Sequence, residues 1–167
     1  LPILAGAKLV ALDADPFDAV WRDRPPRPLG AIRAMPPQVA GEASAKKRAR
    51  IAVDVGQRGA DILVETMPDN IAWLLNVRGS DVPMNPVPQS FLLLGADNEI
   101  EWFVDRRKLG NDCDAYELEG VVLSPPECFL ERLAVAVSGR TVVVDMDFAP
   151  QAVCAGIVAA GGRLVQQ

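Results

Sequence analysis

Apolar and polar positions alternate along this chain in short blocks, each closed by proline, glycine or a charged turn. Ala7 to Leu12 (AKLVAL) predicts a short strand, followed by a turn at Asp13-Ala14-Asp15-Pro16. Phe17 to Trp21 predicts a helical turn, with Asp15 as N-cap and Pro16 at the first helical position. Pro25, Pro26, Pro28, Pro36 and Pro37 then deny their stretch backbone donors and predict an extended linker. From Glu42 to Arg58 the spacing turns helical: Ala45, Ala49, Ala52, Val53 and Gly56 share a face. Lys46, Lys47, Arg48 and Arg50 fall off that face and are expected in solvent, with Gly59 as the stop.

The second half repeats the alternation. Ala60 to Thr66 predicts a strand, Met67-Pro68-Asp69-Asn70 a turn, and Ile71 to Val77 is an apolar run. If that run is extended, Trp73 is buried and shares a sheet face with Ile71 and Leu75. Pro83, Pro86 and Pro88 hold the next stretch out of regular structure. Ser90 to Leu94 and Glu99 to Val104 predict a hairpin turning at Asp97-Asn98. Pro125 to Val137 predicts a helix with Phe129, Leu130, Leu133 and Val137 on one side. Thr141 to Met146 predicts a central strand, Gln151 to Ala160 a helix, and Arg163 to Val165 a last strand. The pattern predicts an α/β fold: a mixed sheet with helices on both faces.

Composition narrows the chemistry. The 167 residues carry a net charge of −5 with acidic and basic residues interleaved, so no basic footprint for nucleic acid is present. No apolar run reaches the roughly 18 residues of a membrane span. The start, Leu1-Pro2-Ile3, has no initiator Met and no signal-peptide pattern, and reads as a cut edge within a longer protein. Cys113, Cys128 and Cys154 lack paired spacing and suit a reducing, cytoplasmic setting. The chain contains no histidine, which removes Ser-His-Asp and Cys-His catalysis and His-containing zinc sites. An all-carboxylate magnesium site is still allowed.

One such site has its parts in order. Asp13 and Asp15 follow an apolar strand, and Thr66, Lys108 and the Gly110 to Asp114 turn come later. That order resembles the haloacid-dehalogenase-like aspartate phosphatases, whose chemistry needs no histidine. Pro16 and Phe17 depart from that family's pattern. A second D-x-D, Asp145-Met146-Asp147, shows how readily such pairs arise at strand ends.

Two longer motifs point elsewhere. Trp21-Arg22-Asp23-Arg24-Pro25-Pro26-Arg27-Pro28 and the run from Asp69 through Arg78-Gly79-Ser80-Asp81 to Pro86 resemble the aminopeptidase P proteins of the pita-bread metallopeptidase family. The resemblance extends from about Ala5 onward and is to their second, creatinase/prolidase-like N-terminal domain. It implies a mixed, mostly parallel sheet with helices on both faces. Residues 1–37 would hold a strand, a short helix and a Pro-rich linker from a preceding domain; 38–167 would form the non-catalytic α/β domain. The parent would be a Xaa-Pro aminopeptidase, with two divalent metals, manganese in family terms, on a separate C-terminal catalytic domain of the same chain. Proline-containing peptides would be substrates, and the full-length enzyme a homodimer. Arg78, Ser80, Asp81, Asn85 and Trp73 are the substrate-cleft candidates. Arg78 has two open readings: a local pair with Asp81, or a fork aimed at a peptide carbonyl or carboxylate. A catalytically dead interaction module is the third class of function.

Overall fold

A computed structural model of the chain describes residues 7, 10, 12, 14–110 and 116–166. The expected strand at Ala7 to Leu12, Asp13, and the expected Gly110 to Asp114 turn with Cys113 lie wholly or partly outside these residues. The strands are β1 (Arg33–Ala34), β2 (Ile62–Glu65), β3 (Val77–Arg78), β4 (Phe91–Gly95), β5 (Ile100–Phe103), β6 (Val121–Ser124), β7 (Thr141–Val144) and β8 (Arg163–Gln166). The helices are α1 (Pro16–Val20), α2 (Pro37–Ala40), α3 (Ser44–Gln57), α4 (Pro68–Leu74), α5 (Phe129–Val137) and α6 (Gln151–Ala159).

Six strands form one sheet in the order β6-β5-β4-β2-β7-β8, and β1 pairs with β3 in a separate two-stranded ladder. β2–β7, β7–β8 and β5–β6 are parallel, whereas β4 runs antiparallel to both its neighbours. The sheet is therefore mixed and mostly parallel, as expected. The β4–β5 hairpin turns at Asp97-Asn98, where Asn98 takes a positive φ of 68°. Asn tolerates that left-handed region better than most residues.

Strand parity splits the core into two layers. Leu63, Leu92, Leu94, Ile100, Trp102 and Val143 face the layer of α3 and α4, against Ala52, Val55, Ile71 and Leu75. Ile62, Val64, Leu93, Phe103, Val142 and Val144 face α5 and α6, against Phe129, Leu133, Val153 and Ile157. Phe129 stacks on Phe91 and meets Phe103 edge-on, tying α5 to the hairpin.

Three expectations need correction. In α3 the buried positions are Ser44, Lys47, Arg48, Ala52 and Val55, while Ala45, Ala49, Val53 and Gly56 face solvent. The helix is rotated because Lys47 and Arg48 find carbonyl and amide partners inside, and a partnered charge can stay buried. Next, Ile71 to Leu74 is helical, not extended. Pro68 starts α4, and the buried Glu65 carboxylate accepts from Thr66 N (2.9 Å), Met67 N (2.8 Å) and Asn70 Nδ2 (3.0 Å). An anion at a helix start offsets its unpaired N–H groups. Trp73 consequently points outward and is 43% exposed, leaving Ile71, Ala72, Leu74 and Leu75 as the buried set. Finally, Leu130 is exposed on α5, whose inward residues are Phe129, Leu133 and Val137 at four-residue spacing. The edge strand β6 is not among the expected elements, although Val121-Val122-Leu123 between Gly120 and Pro125 is a strand signal.

Candidate functional site

The Pro-rich segment ends in a strap that lies across the 76–81 segment. Gly30 N donates to Asp81 Oδ1 (2.9 Å), and Ser80 Oγ donates to Ala31 O (3.2 Å). Ile32 N donates to Lys108 O (2.8 Å) and Met35 N to Asn76 O (2.7 Å). Ile32 is itself part of the core. A side chain at Gly30 would overlap the backbone of Ser80 and Asp81, and one at Gly79 would overlap Pro88. Glycine at both positions is what lets the strap and the loop approach so closely.

Asp81 is the centre of this clamp. Its carboxylate also accepts from Gln89 N (2.7 Å) and from Lys108 Nζ (2.6 Å), and both side chains are buried. Asp81 therefore pairs with Lys108 and not with Arg78. Arg78 Nη1 instead donates to Ala72 O (3.3 Å) and Val77 O (2.7 Å), closing the end of α4. Its Nη2 and Nε have no partner among the described residues, so one edge of the guanidinium is uncommitted. Ser80 and Asn85 are exposed. Asn85 N donates to Val82 O (3.2 Å), closing a turn whose tip is Pro83-Met84.

A second network lies under Trp73. Lys47 Nζ donates to Trp73 O (2.9 Å) and Asn76 Oδ1 (2.7 Å), and sits 4.6 Å from the centre of the Trp73 ring. Asn76, with φ 53°, donates onward to Glu42 O (2.8 Å) and Glu117 Oε2 (2.9 Å). Burial lowers the Lys47 pKa, Glu42 and Glu117 raise it, and Arg78 lowers it further. Burial likewise lowers the Arg48 pKa. Neither network was legible in the sequence, because its members lie far apart in the chain: Gly30 and Asp81 by 51 positions, Asn76 and Glu117 by 41. The only local hint was a pair of basic residues, Lys47 and Arg48, within a helical pattern.

At the carboxyl ends of β2 and β5 an open groove of about 640 Å³ is lined by Arg27, Leu29, Thr66, Gln89, Phe91 and Arg107, among others. Crevices at this end of an open sheet are where α/β folds commonly place ligands. Gln89 and Lys108 line it and also hold Asp81, so the groove and the clamp share a wall. Beside it, hydrogen bonds from Arg107 hold the Asp105 carboxyl down to about 2. No three His, Cys, Asp or Glu side chains among the described residues come together as a metal-binding set. No described helix is long and apolar enough to cross a membrane.

The fold thus defines a three-layer α/β domain with the Asp81 clamp beside a groove at one end of its sheet. Residues 23–167 match the Creatinase/Prolidase N-terminal domain model, and the chain belongs to that family. It is 34% identical over 142 residues to the probable Xaa-Pro aminopeptidase P of Laccaria bicolor, covering 84% of this chain and 22% of that protein. The probable Xaa-Pro aminopeptidase P of Aspergillus niger is 36% identical over 121 residues, covering 72% and 20%. The chain spans about a fifth of the length of these relatives. In three dimensions it is similar to an X-prolyl aminopeptidase from Caenorhabditis elegans, described as a cytosolic enzyme with a di-nuclear active site. The TM-score is 0.83 at 24% identity, over 95% of this chain and 27% of that one. The Creatinase/Prolidase N-terminal domain of an X-PRO dipeptidase from Streptococcus pyogenes gives 0.53 at 17% identity, over 73% and 93%.

Family membership disfavours the aspartate-phosphatase alternative. Of that alternative's parts, Asp15 caps α1 and Lys108 is held by Asp81, while Asp13 lies outside the described residues.

Proposed function

We propose that this chain is the non-catalytic domain of a Xaa-Pro aminopeptidase, and that its Arg78-to-Asn85 loop forms a wall of the substrate cleft. The observation that carries the reading is the loop's construction. Asp81 anchors it through three hydrogen bonds, glycines let the strap press on it, and Arg78 keeps one guanidinium edge uncommitted among the described residues. A pre-ordered loop loses little entropy on binding, which suits it to positioning a peptide. The catalytic metals belong, in this reading, to a C-terminal catalytic domain of the same chain; manganese is the proposed metal. The cytosolic setting described for the Caenorhabditis elegans enzyme supports a cytoplasmic location. We place the linker boundary near residue 37 and expect the full-length enzyme to be a homodimer. The cleft then forms within one chain or across the dimer.

The test uses the full-length enzyme. Arg78→Ala should raise KM for Xaa-Pro peptides, lower kcat less, and leave metal content unchanged. Losing one charge-assisted hydrogen bond corresponds to roughly 1.5–3 kcal/mol in kcat/KM. Wild-type kinetics in a stably folded Arg78→Ala enzyme would reduce the loop to a structural brace.

A further inference from the structure

The β1–β3 ladder sets Arg33 directly opposite Arg78. Residues in that relationship share a face, with Cβ atoms about 4.5–5.5 Å apart, and two like charges so placed repel each other. Repulsion of this kind is ordinarily relieved by an acidic neighbour. Among the described residues Arg33 is exposed and has no side-chain partner, and the Arg78 side chain bonds only to two carbonyl oxygens, through Nη1. The carboxylates close enough to act on neighbouring Lys47 are engaged elsewhere. Glu42 pairs with Arg50 (2.9 Å), and Glu117 accepts from Asn76 and from Ser44 N.

The backbone carrying these two side chains is fixed on both sides. Ile32 N is held by Lys108 O, Met35 N by Asn76 O, and Ala34 pairs with Val77. Asp81 fixes the chain three residues beyond Arg78 and also reaches Gly30, three residues before Arg33. Two arginines set opposite each other on ordered backbone, with donors uncommitted among the described residues, suit a planar anion with two oxygens. A carboxylate matches that geometry and removes the repulsion at the same time.

We infer that Arg33 and Arg78 together form a site for the C-terminal carboxylate of a short peptide substrate. This rests on the cleft reading above and deepens it: the enzyme would favour short peptides whose free carboxyl end reaches the β1–β3 ladder. Arg33 acts here as a specificity-determining residue and takes no part in bond cleavage.

The experiment compares, in the full-length metal-loaded enzyme, a series of Xaa-Pro peptides of increasing length, each as the free acid and as the C-terminal amide. For the length that reaches the ladder, the acid should exceed the amide by roughly tenfold in kcat/KM, mostly through KM. Arg33→Gln should erase that difference while leaving turnover of the amide unchanged, and Arg33→Lys should keep part of it. Arg33 is exposed, so these variants should fold normally. An acid-to-amide ratio near one at every length in the wild type, or a ratio that survives Arg33→Gln, overturns the inference. If the ratio is one and Arg33→Gln instead shifts the enzyme's thermal stability, the anion is an acidic side chain of the parent protein and the substrate assignment is wrong. Absence of any Xaa-Pro cleavage by the loaded wild-type enzyme is a separate outcome, and it removes the proposed function itself.

Discussion

Lys108 Nζ lies 2.6 Å from Asp81 Oδ2, with the aspartate side chain fully buried and the lysine 6% exposed. This pair joins two segments 27 residues apart, and the same carboxylate reaches across to Gly30 N and Gln89 N. Removing one member leaves a buried charge alone, which costs far more than the intact pair contributes. Asp81→Ala should therefore destabilise the fold by roughly 3–5 kcal/mol in urea denaturation. Lys108→Met should be costly too, and the double variant less destabilised than the two singles added together. Additive losses would show that the two charges are not coupled.

How much of this was readable beforehand follows from the range of the interactions. Elements fixed by local pattern were legible: the hairpin at Asp97-Asn98, the Asp15 cap of α1, the β7 strand and α6. The loop Arg78 to Asp81 was legible as a place where an apolar run turns charged. Its partners were not, because Asp81 is two residues from the nearest proline that hints at a fixed loop, yet 27 from Lys108. The Ile71 to Leu75 run failed for a different reason: an unbroken apolar stretch is compatible with helix and strand alike. The deciding group was Glu65, which reads as a strand residue and acts as the anion at the start of α4.

The tryptophans should separate cleanly. Trp102 is wholly buried in β5, whereas Trp73 lies outside with Lys47 over its ring. Trp102→Ala should cost roughly 3–5 kcal/mol, as aromatic truncations in cores do. Trp73→Ala should cost only about 0.5–2 kcal/mol, the range of a cation–π contact. Trp102 Nε1 has no hydrogen-bond partner among the described residues, so Trp102→Phe removes an unsatisfied donor and should cost much less than Trp102→Ala. Equal losses for Trp73→Ala and Trp102→Ala would place Trp73 in the core after all.

Lys47 gives a pH signature. Its pKa in the folded chain lies below the usual 10.5, chiefly because burial disfavours the charged form. Between the folded and unfolded pKa values the unfolded chain holds a proton that the folded chain has released. Stability therefore rises with pH across that window, and the burial penalty is fully present below it. Urea midpoints measured from pH 8 upward should show this rise in the wild type and a flatter profile in Lys47→Met. A profile unchanged by the substitution would mean that Lys47 titrates normally.

The tip of the clamped loop carries its own conflict. Met84 is fully exposed yet holds φ at 63°, a region that side chains other than Gly, Asn and Asp seldom occupy. Pro83 precedes it, and Asn85 N closes on Val82 O at 3.2 Å, so Pro83-Met84 are the central residues of a turn of the type II pattern. That turn favours proline first and glycine second. A non-glycine residue in the left-handed region costs about 1–2 kcal/mol, while glycine gives back part of the gain by loosening the unfolded chain. Met84→Gly should thus stabilise the fold by about 0.5–1 kcal/mol. Met84→Ala should change little, because it keeps the strain and the lost side chain packs against nothing within this domain. The two variants isolate backbone strain from side-chain contact in one urea series. A destabilised Met84→Gly would mean that the turn holds a different geometry in solution. Agreement with both expectations would show that methionine stands at this tip against the preference of the backbone.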